Sequence, residues 1–219
     1  MLRRAKTLTE QAADTIRARI VGGELPLGAP LSENQLASEL GVSKTPIREA
    51  LLQLKVEGLV SIQPQRGSFV FDMSPADIAE LGELRETLEL AALRLAMARQ
   101  PEPLLSDLGT SLAAMERAVA DDDFAAYAKD DAQFHDQLLQ HCGNQYLLDC
   151  YRSFAFRVDA LRTHLSGDPV LNRRSLEEHR EIVNEIASGD VDRAIGALKR
   201  HAQGTIWEFN ASRGHHDAA

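Results

Sequence analysis

Four polar side chains in the second half of this 219-residue chain fall where a helix would turn its apolar face inward. In the helix expected over 123–142, Phe124, Tyr127, Ala128, Phe134, Leu138 and Cys142 form one stripe. Asp131 and His135 lie within it, four residues apart and so on one face. His179 interrupts the stripe Leu176, Ile182, Val183 and Ile186 of a helix expected over 171–188. His201 interrupts Val191, Ala194, Ile195, Leu198, Ala202 and Ile206 of a helix expected over 190–210. Burying a lone carboxylate is costly unless it is paired. One carboxylate and three imidazoles from three helices therefore either hydrogen-bond among themselves or hold a cation between them. Periodicity leaves both readings open. His141, His164, His215 and His216 sit at stripe edges or in the tail and provide an internal contrast.

Arg85 also lies on an inward stripe, with Ile78, Leu81, Leu88, Ala92 and Leu95. A guanidinium there must find an anion. Either a glutamate of the protein, carried on another helix, supplies it, or a bound effector carboxylate is forked by Arg85 while chelating the cation. Asn184, beyond His179, is a further candidate for the same pocket.

The first part of the chain carries a different chemistry. Thr7-x-x-Glu10 is a capping box opening a helix that is apolar at Leu8, Ala12, Ile16 and Ile20 and is stopped by Gly22-Gly23. A loop follows over Leu25 to Pro30, and Ser32-x-x-Gln35 opens a short helix to about Leu40. After a turn at Gly41, a third helix runs from Ser43 to Glu57. Leu59–Gln63 and Ser68–Phe71 then read as strands joined by Pro64-Gln65-Arg66-Gly67. Two helices across a tight turn followed by a hairpin are the parts of a winged helix-turn-helix. Ser43, Lys44, Thr45 and Arg48, at the exposed start of the third helix, then face base edges and phosphates, and Arg66 beside Gly67 places a cation at the hairpin tip. On periodicity alone, a solvated helix and a surface turn fit equally.

Composition frames both halves. With 44% hydrophobic and 26% charged residues the chain can bury a core without staples, and two cysteines do not make a disulfide framework. No apolar run resembles a signal peptide or a membrane span, which points to a cytoplasmic protein. The net charge of −9 is uneven. Residues 1–74 hold 9 basic and 8 acidic side chains, net +1, while the rest hold 15 and 25, net −10. At Ser74-Pro75 the pattern becomes helical to the end, in about six helices: 75–99, 103–120, 123–142, 145–164, 171–188 and 190–210. The expected architecture is mainly α: a winged helix-turn-helix over 1–73 and an all-α bundle over 74–219.

The run LSENQLASELGVSKTPIREALLQLKVEGLVSIQPQRGSFV resembles the DNA-binding domain of the GntR regulators, through Leu40-Gly41-Val42-Ser43, Thr45-Pro46, Arg48-Glu49-Ala50-Leu51, Glu57-Gly58-Leu59 and Arg66-Gly67. The resemblance implies that Ser43, Lys44, Thr45, Arg48 and Gly67 contact an operator in double-stranded DNA. Many members carry Arg where this chain has Asn34, so that phosphate contact is missing here. Residues 75–210 resemble the FadR-type C-terminal domain (FCD) of the same family, through Leu84-Arg85-Glu86-x-x-Glu89, Asp131-x-x-Phe134-His135, Glu178-His179 and Arg200-His201. That resemblance implies a metal held by Asp131, His135, His179 and His201, with zinc, nickel, manganese and iron all compatible. The mechanism expected from these parts is a homodimeric regulator sensing a small carboxylate such as a hydroxy acid or sugar acid, with repression relieved by the effector as the first sign and activation as the other. Two rivals stand beside it: a metal-dependent enzyme using the Asp/His₃ set, and a regulator whose four polar groups bind no metal. Against the enzyme, there is no HExxH and no convincing general base beside the four residues.

Overall fold

The computed structural model describes residues 5–165 and 168–216, and these form two compact units, Met1–Asp72 and Met73–Ala219. In the first, α1 (Leu8–Val21) begins with the full capping box: Glu10 N–H donates to Thr7 Oγ1 and Thr7 N–H to Glu10 Oε2. The second expected box forms only by half. Gln35 N–H donates to Ser32 Oγ at the start of α2 (Glu33–Leu40), but the Gln35 amide turns away to Glu39 Oε1. The turn into α3 (Lys44–Val56) needs Gly41, whose φ of 66° is left-handed.

Ile16 and Ile20 of α1 pack with Ile47, Leu51 and Leu54 of α3, all essentially without exposed surface. Arg17 adds a two-pronged ion pair across that contact, Nε to Glu57 Oε2 and Nη2 to Glu57 Oε1, both 2.7 Å. Strands β2 (Val60–Gln63) and β3 (Gly67–Val70) make the expected hairpin. A short strand not anticipated in the Leu25–Pro30 loop, β1 (Pro30–Leu31), pairs antiparallel with β3, giving the order β1-β3-β2. Pro30 is tolerated because it stands on an edge, where no ladder N–H is required.

The second unit is wholly helical among the described residues. Its elements are α4 (Pro75–Arg99), α5 (Pro101–Ala120), α6 (Phe124–His141), α7 (Gln145–Arg152), α8 (Ala155–Leu165), α9 (Pro169–Ser188) and α10 (Val191–His216). Ser74 and Asp77 cap α4 reciprocally, with Pro75 in the first turn as its sequence requires. The single helix expected over 145–164 is broken in two. No glycine or proline marks the break; instead Ser153 Oγ donates to Cys150 O at 2.7 Å, and Phe154 is buried in the turn. Among the described residues the bundle thus has seven helices rather than about six. α10 runs past the end expected near 210, since no proline interrupts it. The side chains of Ile206, His215 and His216, residues 166–167 between the helices expected over 145–164 and 171–188, and residues 217–219 lie outside what is described. Cys142 is a buried free thiol and Cys150 an exposed one.

Candidate metal centre and nucleic-acid interface

The inward stripes of α6, α9 and α10 bring Asp131, His135, His179 and His201 to one point. Each is buried, and each offers a ligand atom within 4.8 Å of the others. His135 Nε2 lies 3.2 Å from His201 Nε2 and 3.3 Å from His179 Nε2, and His179 Nε2 is 3.3 Å from Asp131 Oδ1. Donors bound at roughly 2.0–2.1 Å to one ion stand about 3.0–3.4 Å apart, the spacing found here.

The hydrogen bonds behind the rings decide what these nitrogens can be. His135 Nδ1 meets Glu89 Oε2 at 3.0 Å, His179 Nδ1 meets Ser175 O at 2.7 Å, and His201 Nδ1 meets Glu178 Oε2 at 2.9 Å. Carboxylates and a carbonyl only accept, so each Nδ1 carries the proton. Burial, aided by nearby Arg162 and Arg85, holds His135 well below the ordinary histidine range; burial, then His179, does so for His201. Burial also lowers His179, against the pull of Asp131. All three rings are therefore neutral near pH 7, and all three Nε2 atoms are bare lone pairs. Three lone pairs and a carboxylate oxygen at contact distance repel one another unless a cation lies between them. The donor set fits a divalent metal, with the Nδ1 acceptors fixing each ring's tautomer as supporting partners of metal sites do.

Asp131 is held for the same role. Arg162 on α8 forms an ion pair with Asp131, Nε to Oδ2 at 3.0 Å, leaving Oδ1 toward the histidines. Burial is the largest single influence and would raise this carboxyl, but Arg162, His179, His201 and Arg85 together outweigh it and hold it below the ordinary carboxylate range.

Arg85 reaches the cluster, and the anion it finds is Glu89, one turn along its own helix rather than on another (Nε–Oε1 2.8 Å). Its Nη2 lies 3.1 Å from Nε2 and 3.3 Å from Nδ1 of His135. Near-equal distances put it across the ring, not along the Nε2 lone pair, so Arg85 does not substitute for a cation there. Asn184 is not brought to the cluster: it is exposed, five residues past His179 and off that face of α9. Sequence reasoning missed Arg162, Glu89, Glu178 and Tyr151, whose hydroxyl donates to Glu89 Oε1 at 3.0 Å. For Arg162 a signal existed, since Phe154, Val158, Leu161 and Arg162 make a short inward stripe across the α8 start.

Two expectations follow from the ring chemistry. Glu178→Ala frees His201 to turn or change tautomer, and metal affinity should fall by roughly 10–100-fold in a chelator competition; unchanged affinity would contradict the supporting role. The pH dependence has a definite sign. Folded rings with lowered pKa bind fewer protons than unfolded ones at about 6.5, so metal-free stability is complete above that pH and lost as pH falls below it. Urea melts in chelator at pH 7.5 and 5.5 should show a clear drop, and equal midpoints would contradict it.

In the first unit, Ser43, Lys44, Thr45 and Arg48 are exposed together at the start of α3, and Arg66 and Gly67 are exposed at the hairpin tip. Ser43 is the N-cap of α3 but its side chain makes no cap hydrogen bond, so the helix start offers N–H groups and a hydroxyl to an anion. Arg48 Nε rests on Glu33 Oε2 of α2 at 2.7 Å. At Gln65 (φ 61°) and Gly67 (φ 104°) the hairpin tip is left-handed, which turns Arg66 outward.

These parts have counterparts in known proteins. Residues 8–70 match the model of the bacterial regulatory proteins of the gntR family, and residues 80–204 match the FCD domain. The chain belongs to the GntR family. As a GntR regulator with an FCD domain, it is a transcription regulator and not an enzyme. It is 32% identical over 213 residues, 97% of this chain and 93% of the relative, to a protein of Paenarthrobacter nicotinovorans described as "Probable D-xylose utilization operon transcriptional repressor". It is 30% identical over 204 residues, 90% and 86% of the two chains, to the HTH-type transcriptional repressor RspR of Escherichia coli. The structure of E. coli McbR/YncC shares the fold, with a TM-score of 0.82 at 23% identity, covering 95% of this chain and all of that one. No helix among the described residues of this GntR member is long and apolar enough to cross a membrane.

Proposed function

We propose that this GntR regulator is a homodimeric repressor that binds operator DNA through its first unit and is released when a small carboxylate binds at a divalent metal in its second. The observation that carries the sensing half is the convergence of three bare Nε2 lone pairs with Asp131 Oδ1. His135, His179, His201 and Asp131 would hold zinc, nickel, manganese or iron. The ion would supply a Lewis-acidic anchor for a carboxylate oxygen. Asp131 and His201 also line an open cleft with Tyr127, Arg162 and Ser175, so a molecule in it can reach that anchor from solvent. Lys44, Thr45 and Arg48 on α3 read the major groove with Ser43 on phosphate, and Arg66 beside Gly67 places a cation against the minor groove. Two such faces in a dimer match two half-sites. The effector acts by binding one of two states of the dimer more tightly, lowering the operator-competent population. A hydroxy or sugar acid suits the hydroxyl-rich cleft, and one relative's name refers to a D-xylose utilization operon.

Gel shifts with a panel of hydroxy and sugar acids test this. At least one acid should release operator from metal-loaded protein and fail to do so after chelation. Release that is identical with and without chelator would overturn the metal-anchored reading.

A further inference from the structure

The cleft beside the metal donors contains two buried hydrogen-bond donors that make no well-formed hydrogen bond among the described residues. Arg162 pairs its Nε with Asp131 Oδ2 (3.0 Å) and donates Nη1 to Asp159 Oδ1 (3.4 Å). Its Nη2 is buried and, among the described residues, has no hydrogen-bond acceptor; Glu89 Oε1, at 3.8 Å, is too far. Tyr127, on α6 one turn before Asp131, has a buried hydroxyl that faces Ser175 but forms no well-aligned hydrogen bond among the described residues. Both groups keep their protons. Burial pushes the Tyr127 phenol up, and for Arg162 the burial that acts against its charge is outweighed by Asp131, Tyr151, Glu89 and Asp159 together. Buried donors without a well-placed acceptor are costly to the protein alone and call for an oxygen acceptor from outside.

The rest of the wall has the opposite character. Glu178 and Glu208, both half-buried, line the cleft and share Arg174, at 3.2 Å from Glu178 Oε1 and 2.9 Å from Glu208 Oε1. Thr205 Oγ1 spends its proton on His201 O at 3.1 Å and keeps its lone pairs. These groups accept hydrogen bonds from hydroxyls and repel a second carboxylate. The cleft itself encloses only about 40 Å³ and opens to solvent, so it can seat the end of a small molecule whose remainder extends toward the mouth.

We infer that Arg162 and Tyr127 seat the effector's single carboxylate beside the metal, while Glu208 and Glu178 restrict the effector to hydroxylated monocarboxylic acids and reject diacids of the same length. The inference rests on the cleft being the effector site proposed above, and it assigns the recognition that Arg85 was expected to provide to a different arginine. Arg85 is engaged by Glu89 and does not line the cleft. Selectivity then comes as much from the repelling wall as from the attracting one.

Calorimetry on the full, metal-loaded chain tests it with matched pairs of one chain length: glycerate against tartronate, threonate against tartrate, gluconate against glucarate. At the best-fitting length the monoacid should bind at least about tenfold tighter than the diacid. Glu208→Gln should shrink that preference to less than about threefold. Tyr127→Phe should weaken the monoacid about tenfold at unchanged metal content, the loss expected when a hydrogen bond to a charged group is removed. Arg162→Lys should weaken it at least as much, with metal content and melting temperature measured alongside because Asp131 leans on this arginine. Diacids binding as tightly as monoacids, no acid of the panel binding, or Tyr127→Phe leaving affinity unchanged would each overturn the inference. Metal content and operator binding are read on the same samples. If both persist while the preference is absent or reversed, this inference alone falls; if acids bind equally after chelation, the metal-anchored function falls instead.

Discussion

Protein carrying His179→Ala should bind its divalent metal about 10²-fold more weakly than the unaltered chain, in a competition with a chromophoric chelator. Four-donor sites in proteins are worth roughly 10–16 kcal/mol, so one donor accounts for about 3 kcal/mol, or about 10²-fold. The substitution also removes packing, because the His179 ring stands edge-on to Phe134 at 4.6 Å and to His201 at 4.3 Å between centroids. Melting both proteins in chelator isolates that contribution, since only the metal-dependent part of the difference belongs to coordination. His141→Ala is the matched control. His141 lies on the same helix as Asp131 and His135 but bonds to Asp107 and Gln100, outside the cluster. Its loss should leave metal affinity unchanged, and a loss equal to that of His179→Ala would contradict the assignment.

Arg48→Ala should weaken binding to a DNA fragment that the unaltered chain recognises by about 1–3 kcal/mol per half-site, and by about twice that for a dimer on two half-sites. The fold should not notice. Arg48 is 64% exposed and its pairing with Glu33 is a surface ion pair, a class worth about 0–1 kcal/mol. The salt dependence separates the two roles open to this guanidinium. A phosphate contact lowers the slope of log affinity against log salt by about 1, while a guanine contact leaves the slope and relaxes preference at one base pair. Gel shifts indistinguishable from the unaltered chain would remove Arg48 from the interface.

Much of this was legible in the chain because the signals were local. Thr7 and Glu10, Ser74 and Pro75, and the periodic stripes each act within a turn or two of helix, where spacing alone fixes which face a residue takes. The same logic exposed Asp131 and His135, because polar residues inside an apolar stripe must meet something. What spacing cannot show is the partner. Glu89, Glu178 and Ser175 O become the fixers of three tautomers only through contacts between helices, except for Ser175 and His179, which share α9. Arg85 was placed correctly on an inward face, yet its partner was one turn away on α4, a pairing hidden by looking for it on another helix. Asn184 was assigned to the pocket by proximity in sequence, although five residues along a helix turn a side chain well away from the starting face. Arg162 escaped notice because α7 and α8 were read as one helix. The break at Ser153 depends on a hydroxyl taking a backbone carbonyl, which no glycine or proline announces.

The neutral rings and their bare Nε2 atoms are the physical core of the account, and X-ray absorption at the metal edge of the purified, untagged full chain tests them most directly. The account predicts about one metal per chain and a first shell of nitrogen and oxygen scatterers, with the outer-shell pattern of three imidazoles that is lost in part on His179→Ala. A metal-free protein that cannot be loaded, or a bound ion whose spectrum shows no imidazole and does not change in that variant, would contradict it.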